Sequence, residues 1–141
     1  MTTFATLPPA VAIHLSASLG ALVLGPVALW ARRTGAAHPR LHRAAGYAWV
    51  TLMLASALSA LAIRDFRLPN LGGYTLIHGL VPVTFFGLFG AFWFLARQDI
   101  QGHRKAMRAL YFQACIGAGL FTLLPSRFLG QLVWGQWLGL V

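Results

Sequence analysis

Acidic residues are almost absent from this sequence, which contains two of them, Asp65 and Asp99, among 141 residues. Only 9% of the residues are charged, whereas a soluble domain usually carries roughly a quarter. Both carboxylates fall in segments that we interpret as loops, and no nucleophile–base pair is evident. Carboxylate-based hydrolysis and a proton-relay acid inside a helical bundle are therefore not expected. Any chemistry would belong to a bound cofactor, and the sequence leaves open whether the protein is an enzyme.

Cysteine is equally scarce, since Cys115 is the single one and lies inside an apolar run, so the chain has no disulfide framework. Apolar residues are abundant: 58% of the residues are hydrophobic and the mean hydropathy is +0.70. The sequence contains four apolar runs, and each is as long as the roughly 20 residues that a helix needs to cross the hydrocarbon layer. The sequence therefore predicts an all-α integral membrane four-helix bundle in a single domain, residues 1–141. The runs lie near residues 10–31, 44–63, 75–96 and 105–125.

The two ends of the chain need separate interpretation. No basic residue precedes the first apolar run and no cleavage pattern follows it, so we expect a retained span and not a cleaved signal peptide. The tail, residues 128–141, is apolar and contains Trp134 and Trp137, but it is too short to span a membrane. We expect it to form a short interfacial or re-entrant helix.

Basic residues dominate the charge and give the chain a net charge of +9 at pH 7. They cluster in short loops between apolar runs, which is typical of a topology signal, and we expect no nucleic-acid partner. Eight lie in or beside the first and third loops, against three elsewhere. Because short loops rich in Lys and Arg stay in the cytoplasm, both termini are predicted on the outer side of the membrane. The eight are Arg32, Arg33, Arg40, Arg43, Arg97, Arg104, Lys105 and Arg108, and the three are Arg64, Arg67 and Arg127.

Four histidines mark the four apolar runs in two matched pairs. His14 and His78, the outer pair, each lie about one turn inside a span that leads inward, whereas His42 and His103, the inner pair, each open a returning span. The members of the two pairs are 64 and 61 residues apart. Similar offsets indicate two tandem helical hairpins related by an axis along the membrane normal, although short apolar segments also match by chance. In an up-down bundle each pair would face across the interior.

Paired histidines on diagonal helices are the axial ligands that six-coordinate haem requires. The leading hypothesis is therefore a membrane electron-transfer protein that binds one or two haem b groups and exchanges electrons with a quinone or a partner redox protein. Gly46 would let a flat macrocycle approach the inner pair, and Tyr47 would donate a hydrogen bond nearby. Arg43 and Arg104 would pair with haem propionates. If only one site exists, we expect it at the outer pair, since an imidazole inside lipid is costly.

Other interpretations of the same residues stay open. A histidine in a membrane helix often bonds a carbonyl or hydroxyl group of a neighbouring helix, and the inner pair would also suit contact with lipid headgroups. Arg43 and Arg104 would then be topology anchors. The alternative functions are a non-haem binding or transport module for a metal ion or small solute, and a structural accessory subunit of a larger membrane complex.

Two motifs carry a resemblance to a known family. The more specific is His103-Arg104-Lys105-Ala106-Met107-Arg108, and the other combines His42-Arg43 with Gly46-Tyr47. Together with His14, Leu24-Gly25-Pro26 and His78, they resemble a bacterial membrane family, that of domain of unknown function 2306. The resemblance covers most of the chain, implies a four-helix protein of the bacterial inner membrane and singles out the same four histidines, but it brings no reaction. An architectural likeness to small di-haem membrane cytochromes b adds to the expectation of haem.

Overall fold

The computed structural model describes residues 7–32, 38–66, 69–125 and 128–139. Within those ranges the fold is helical, and the sole β feature is an isolated bridge between Leu71 and Tyr74. Three basic residues in the topology count, Arg33, Arg67 and Arg127, lie outside the described residues. The helices are α1 Pro9–Trp30, α2 Pro39–Ala62, α3 Leu80–Ala96, α4 Ile100–Leu110, α5 Ala118–Thr122 and α6 Phe128–Gly130.

Prolines open the first two helices. Pro9 and Pro39 occupy the first turns of α1 and α2, where a missing backbone N–H is not needed and the fixed φ angle suits a helix. The hydropathy pattern placed the start of the second span at residue 44, which is wrong by about one turn because the first turn of α2 is basic. His42 and Arg43 therefore lie inside the helix.

The third helix begins differently from the prediction. A 3₁₀ turn, Leu76–Gly79, precedes α3, and Thr75 caps it. His78 therefore lies in this 3₁₀ turn at the end of the span, where we had expected it one turn inside a regular helix. Its ring nitrogen accepts a hydrogen bond from the Thr75 backbone N–H at 3.1 Å, which ties the histidine to the cap.

The fourth helical stretch is divided by a π-helical segment, Tyr111–Gly117, between α4 and α5. Asp99 caps α4 by accepting a hydrogen bond from the Gly102 backbone N–H at 2.8 Å. Among the described residues, three helices are long and apolar enough to cross a membrane: Pro9–Trp30, Pro39–Ala62 and Leu76–Ala96. The fourth predicted span does not qualify as one uninterrupted apolar helix, since α4 is short and carries basic residues.

The C-terminal tail is helical, as predicted. The helix α6 continues into a second π-helical segment, Gln131–Trp137. The Trp134 indole Nε1–H donates a hydrogen bond to the Leu123 carbonyl at 2.7 Å, so the tail folds back against the end of α5.

The helices pack around a small core and present apolar side chains outward. In packing order α1 lies beside α2, α2 beside α3, α3 beside α4, and α1 again beside the π-helical segment. Large hydrophobic side chains such as Phe86 and Val23 are mostly exposed, which suits a surface covered by lipid. The fold is thus an all-α membrane bundle, with α2 diagonal to the fourth stretch. The core consists of Ala21, Trp49, Met53, Leu88, Leu110 and Tyr111.

Gly25 is the point of closest approach between α1 and the fourth stretch. The Tyr111 hydroxyl donates to the Leu22 carbonyl at 3.2 Å, and a Cβ atom on Gly25 would overlap the Tyr111 ring. Gly25→Ala is therefore expected to lower the free energy of unfolding in detergent by about 1–3 kcal/mol through overpacking. Gly90→Ala is the matched control, because a Cβ atom there meets no atom within 4 Å. Equal stability of the two variants would contradict this close packing.

Candidate functional site

A cavity of about 680 Å³ opens between the two helical hairpins. It lies at the end of the bundle where α1 and α3 finish and where α2 and α4 begin. Six of its lining residues carry histidine or arginine side chains: Arg32, His42, Arg43, His103, Arg104 and Arg108. Its apolar wall includes Leu29, Val50, Phe92, Leu95, Ile100 and Phe112.

Both histidines of the inner pair line this cavity. His42 Nδ1 lies 2.9 Å from the Ala28 carbonyl oxygen, and His103 Nδ1 lies 2.9 Å from the Ala91 carbonyl oxygen. A carbonyl oxygen only accepts hydrogen bonds, so each Nδ1 carries the proton and donates it. In a neutral imidazole of this tautomer, Nε2 keeps its lone pair. Neither Nε2 is hydrogen-bonded to the described part of the chain.

These two hydrogen bonds are equivalent in the two hairpins. In each, the histidine in the first half of the returning helix donates to a carbonyl near the end of the preceding helix. The histidines are 61 residues apart and their acceptors 63 residues apart. Two tandem hairpins with one internal design would produce this correspondence, and it brings His42 and His103 to the same depth.

His78 of the outer pair is fully engaged by the protein. The Thr75 backbone N–H can only donate, so His78 Nδ1 accepts, and the proton must be on Nε2, which donates to the Ile63 carbonyl at 3.0 Å. Both ring nitrogens are thereby used to join the 3₁₀ turn to the end of α2. The imidazole has no lone pair left for a metal.

His14 bonds its own hairpin and not His78. Its Nδ1 lies 2.9 Å from the Ser56 carbonyl oxygen, and beside it the hydroxyls of Ser18 and Ser56 are 2.7 Å apart. This polar contact joins α1 to α2 in the way that histidine and serine side chains commonly join membrane helices. The two histidines of the outer pair thus serve different structural contacts, whereas those of the inner pair line one cavity.

The other predicted site residues also line this cavity. Arg43, Arg104, Gly46 and Tyr47 all contribute to its wall. A Cβ atom on Gly46 would meet no atom within 4 Å, so the space beside it is open to a flat ligand. In the second hairpin the equivalent position is Met107, which lines the cavity as well.

The lining residues that sequence reasoning missed include Arg32, Arg108 and Trp49. The two arginines were interpreted as topology signals alone, although Arg108 lies four residues, about one helical turn, after Arg104. Trp49 is 3% exposed. Its indole Nε1–H is buried and has no hydrogen-bond acceptor in the described part of the chain.

The electrostatics of the cavity favour an anion. Four guanidinium groups line it, and no carboxylate does. The Asp99 carboxylate is bonded to the first turn of α4, and Asp65 lies at the opposite end of the bundle. The described residues contain no group of three or more His, Cys, Asp or Glu side chains that could hold a metal ion. Two histidines instead suit a metal that brings further ligands of its own.

Comparison with known proteins agrees with this architecture. The family model described as "Predicted membrane protein (DUF2306)" matches residues 11–137, which include all four paired histidines. The chain belongs to this family. No curated protein and no solved structure matches it. Within this DUF2306 chain the architectural likeness to di-haem cytochromes b thus stays a prediction.

His78 is expected to be structural in this DUF2306 chain. His78→Ala would leave the Ile63 carbonyl and the Thr75 N–H without partners, and leaving buried polar groups unsatisfied costs about 1–3 kcal/mol. We expect a lower free energy of unfolding in detergent and faster hydrogen exchange over residues 63–78. His38→Ala is the control, since His38 is exposed and only stacks on Trp30. Unchanged exchange in His78→Ala would contradict the assignment.

Proposed function

We propose that this chain is a membrane electron-transfer protein that holds one haem b between His42 and His103. The observation that carries the proposal is the matched pair of imidazoles on diagonal helices, each oriented by an Nδ1–H bond of 2.9 Å to a backbone carbonyl. Histidines that bind metals usually donate the other ring N–H in this way, which sets the tautomer and the ring orientation. Both imidazoles line one cavity, so their Nε2 atoms are available to a single ligand.

The remainder of the cavity suits the same group. Haem is flat and apolar with two carboxylates at one edge, and the cavity combines an apolar wall with arginines at the end of the bundle. Arg43 and Arg104 each follow a histidine by one residue and would hold the propionates through charge-assisted hydrogen bonds. Gly46 leaves room for the macrocycle because no neighbouring atom occupies the space beside it.

A haem held by two histidines supplies one-electron chemistry and has no open coordination position. This favours electron transfer over binding and activation of a small molecule. The residues of the chain then hold the group, set its orientation and surround it with positive charge, while a quinone or a partner redox protein supplies or removes the electron. By the distribution of Lys and Arg, the cavity end would face the cytoplasm of a bacterial cell.

The ligand assignment predicts an absorption spectrum. Protein expressed with haem supplied and purified in mild detergent should show a Soret band and, after reduction, the sharp α band of bis-histidine haem. His42→Ala and His103→Ala should each abolish that low-spin spectrum. His14→Ala and His78→Ala are the matched controls and should retain it when folded. A colourless wild-type protein would refute the proposal, as would loss of the spectrum only in the outer-pair variants.

Filling the cavity beside Gly46 provides a second test. Gly46→Leu introduces a side chain into open space, so we expect helix content close to that of the wild type and loss of most bound haem. Gly46→Ala should retain haem because it adds a single methyl group, and Gly90→Leu controls for a leucine replacing a glycine in another helix. Haem content is measured by the pyridine haemochrome assay relative to protein. Full haem loading of Gly46→Leu would contradict placement of the macrocycle beside Gly46.

A further inference from the structure

The arginines of the cavity outnumber the acidic groups that one haem would supply. Four guanidinium groups line the cavity, whereas a haem b carries two carboxylates. Arg43 and Arg104 adjoin the inner pair and account for those two. Arg32 and Arg108 remain, and neither forms a hydrogen bond or an ion pair with the described part of the chain. A cavity in lipid that keeps two uncompensated cations is suited to a further anion.

Arg32 and Arg108 belong to neighbouring helices. Arg32 lies just beyond the end of α1, and Arg108 lies near the end of α4. The two elements are joined deeper in the bundle by the hydrogen bond of 3.2 Å from the Tyr111 hydroxyl to the Leu22 carbonyl. Tyr111 lies about one turn from Arg108, and Leu22 lies nearly three turns from Arg32. Both arginines are exposed and line the same cavity, so an anionic group can approach both from the end of the bundle.

The wall next to these arginines is apolar and open to lipid. Leu95, Ile100 and Phe112 line the cavity and are 41%, 45% and 57% exposed. A ligand that fits both the two arginines and the apolar wall has an anionic head and an apolar chain. Arginine binds phosphate with two parallel hydrogen bonds, and basic pockets between membrane helices on the cytoplasmic side bind anionic lipid headgroups.

We infer that Arg32 and Arg108 bind the phosphate of an anionic phospholipid, whose acyl chain lies along the apolar wall of the cavity. This site uses neither of the proposed haem ligands, although the choice of Arg32 and Arg108 rests on the proposed function, which assigns Arg43 and Arg104 to the haem propionates. Arg97 is a basic residue at the same end of the bundle that does not line the cavity. It is exposed and stacks on the Trp93 ring, with 4.8 Å between its guanidinium carbon and the ring centroid.

The test measures binding of a fluorescent phosphatidylglycerol to the full-length protein in neutral detergent by fluorescence anisotropy. Each basic group near an anionic lipid contributes roughly a fivefold change in affinity. Arg32→Gln and Arg108→Gln should therefore each weaken binding about fivefold, and the double variant about 25-fold. Arg97→Gln, the matched control, should change it less than twofold. Equal weakening by Arg97→Gln would overturn the site in favour of general surface charge.

Competition separates the sources of the phosphate. Unlabelled phosphatidylglycerol should displace the probe, whereas phosphatidylcholine with the same chains and inorganic phosphate should not. Displacement by inorganic phosphate at the same concentration would assign the site to a free anion and overturn the lipid assignment. Displacement by phosphatidylcholine would show that the site does not select for the net charge of the headgroup, and it would also overturn the assignment to an anionic lipid. Arg32→Lys with Arg108→Lys serves as the second variant if the glutamine pair misfolds, and intermediate affinity is expected because charge remains without bidentate geometry.

The haem proposal and the lipid site fail separately. The double arginine variant should keep the haem spectrum of the wild type, and a variant with His42→Ala and His103→Ala should keep its affinity for the lipid. Loss of lipid binding in the double histidine variant would show that the arginines respond to haem and not to phospholipid, and it would overturn the inference.

Discussion

The structure depends on hydrogen bonds from imidazole rings to backbone carbonyls. Inside lipid no water satisfies polar groups, so each polar side chain must find its partner within the protein. All four paired histidines do so in the same way, through the carbonyls of Ser56, Ala28, Ile63 and Ala91. Two of the bonds join α1 to α2 at its two ends, one joins α3 to α4, and the His78 bond joins the 3₁₀ turn to the end of α2. The first ring nitrogen of every histidine is therefore structural, and function depends on what the second nitrogen does.

The second ring nitrogen distinguishes His78 from the other three paired histidines. At one end His78 uses it to accept the Thr75 N–H, which completes the 3₁₀ cap before α3. At the other end the inner pair leaves it unbonded beside a basic cavity. Lipid makes an imidazole costly anywhere, but this cost is already offset at His78 by two internal bonds. At His14, His42 and His103 it is offset only in part, and of these three His42 and His103 line one cavity.

Sequence reasoning reached the all-α membrane bundle, because apolar length is a local property of the chain. It placed the start of the second span late, since hydropathy falls in a basic first turn that is nonetheless helical. The hydrogen bonds of His78 could not be predicted, because its partners Thr75 and Ile63 are brought to it by tertiary packing. The π-helical segment at Tyr111 has no signal in the apolar pattern either.

The positive charge of the cavity end has two roles that are not in conflict. Arginines flanking a span orient a membrane protein, and any position in the loop is adequate for this role. Arg97, for example, stacks on Trp93 outside the cavity. Orientation alone does not require four guanidinium groups to surround one cavity from three helix ends without a carboxylate among them. Such convergence raises mutual repulsion, which an anionic ligand relieves. The same residues that are predicted to orient the bundle thus also give the cavity its positive charge, and no carboxylate lines the cavity to compensate that charge.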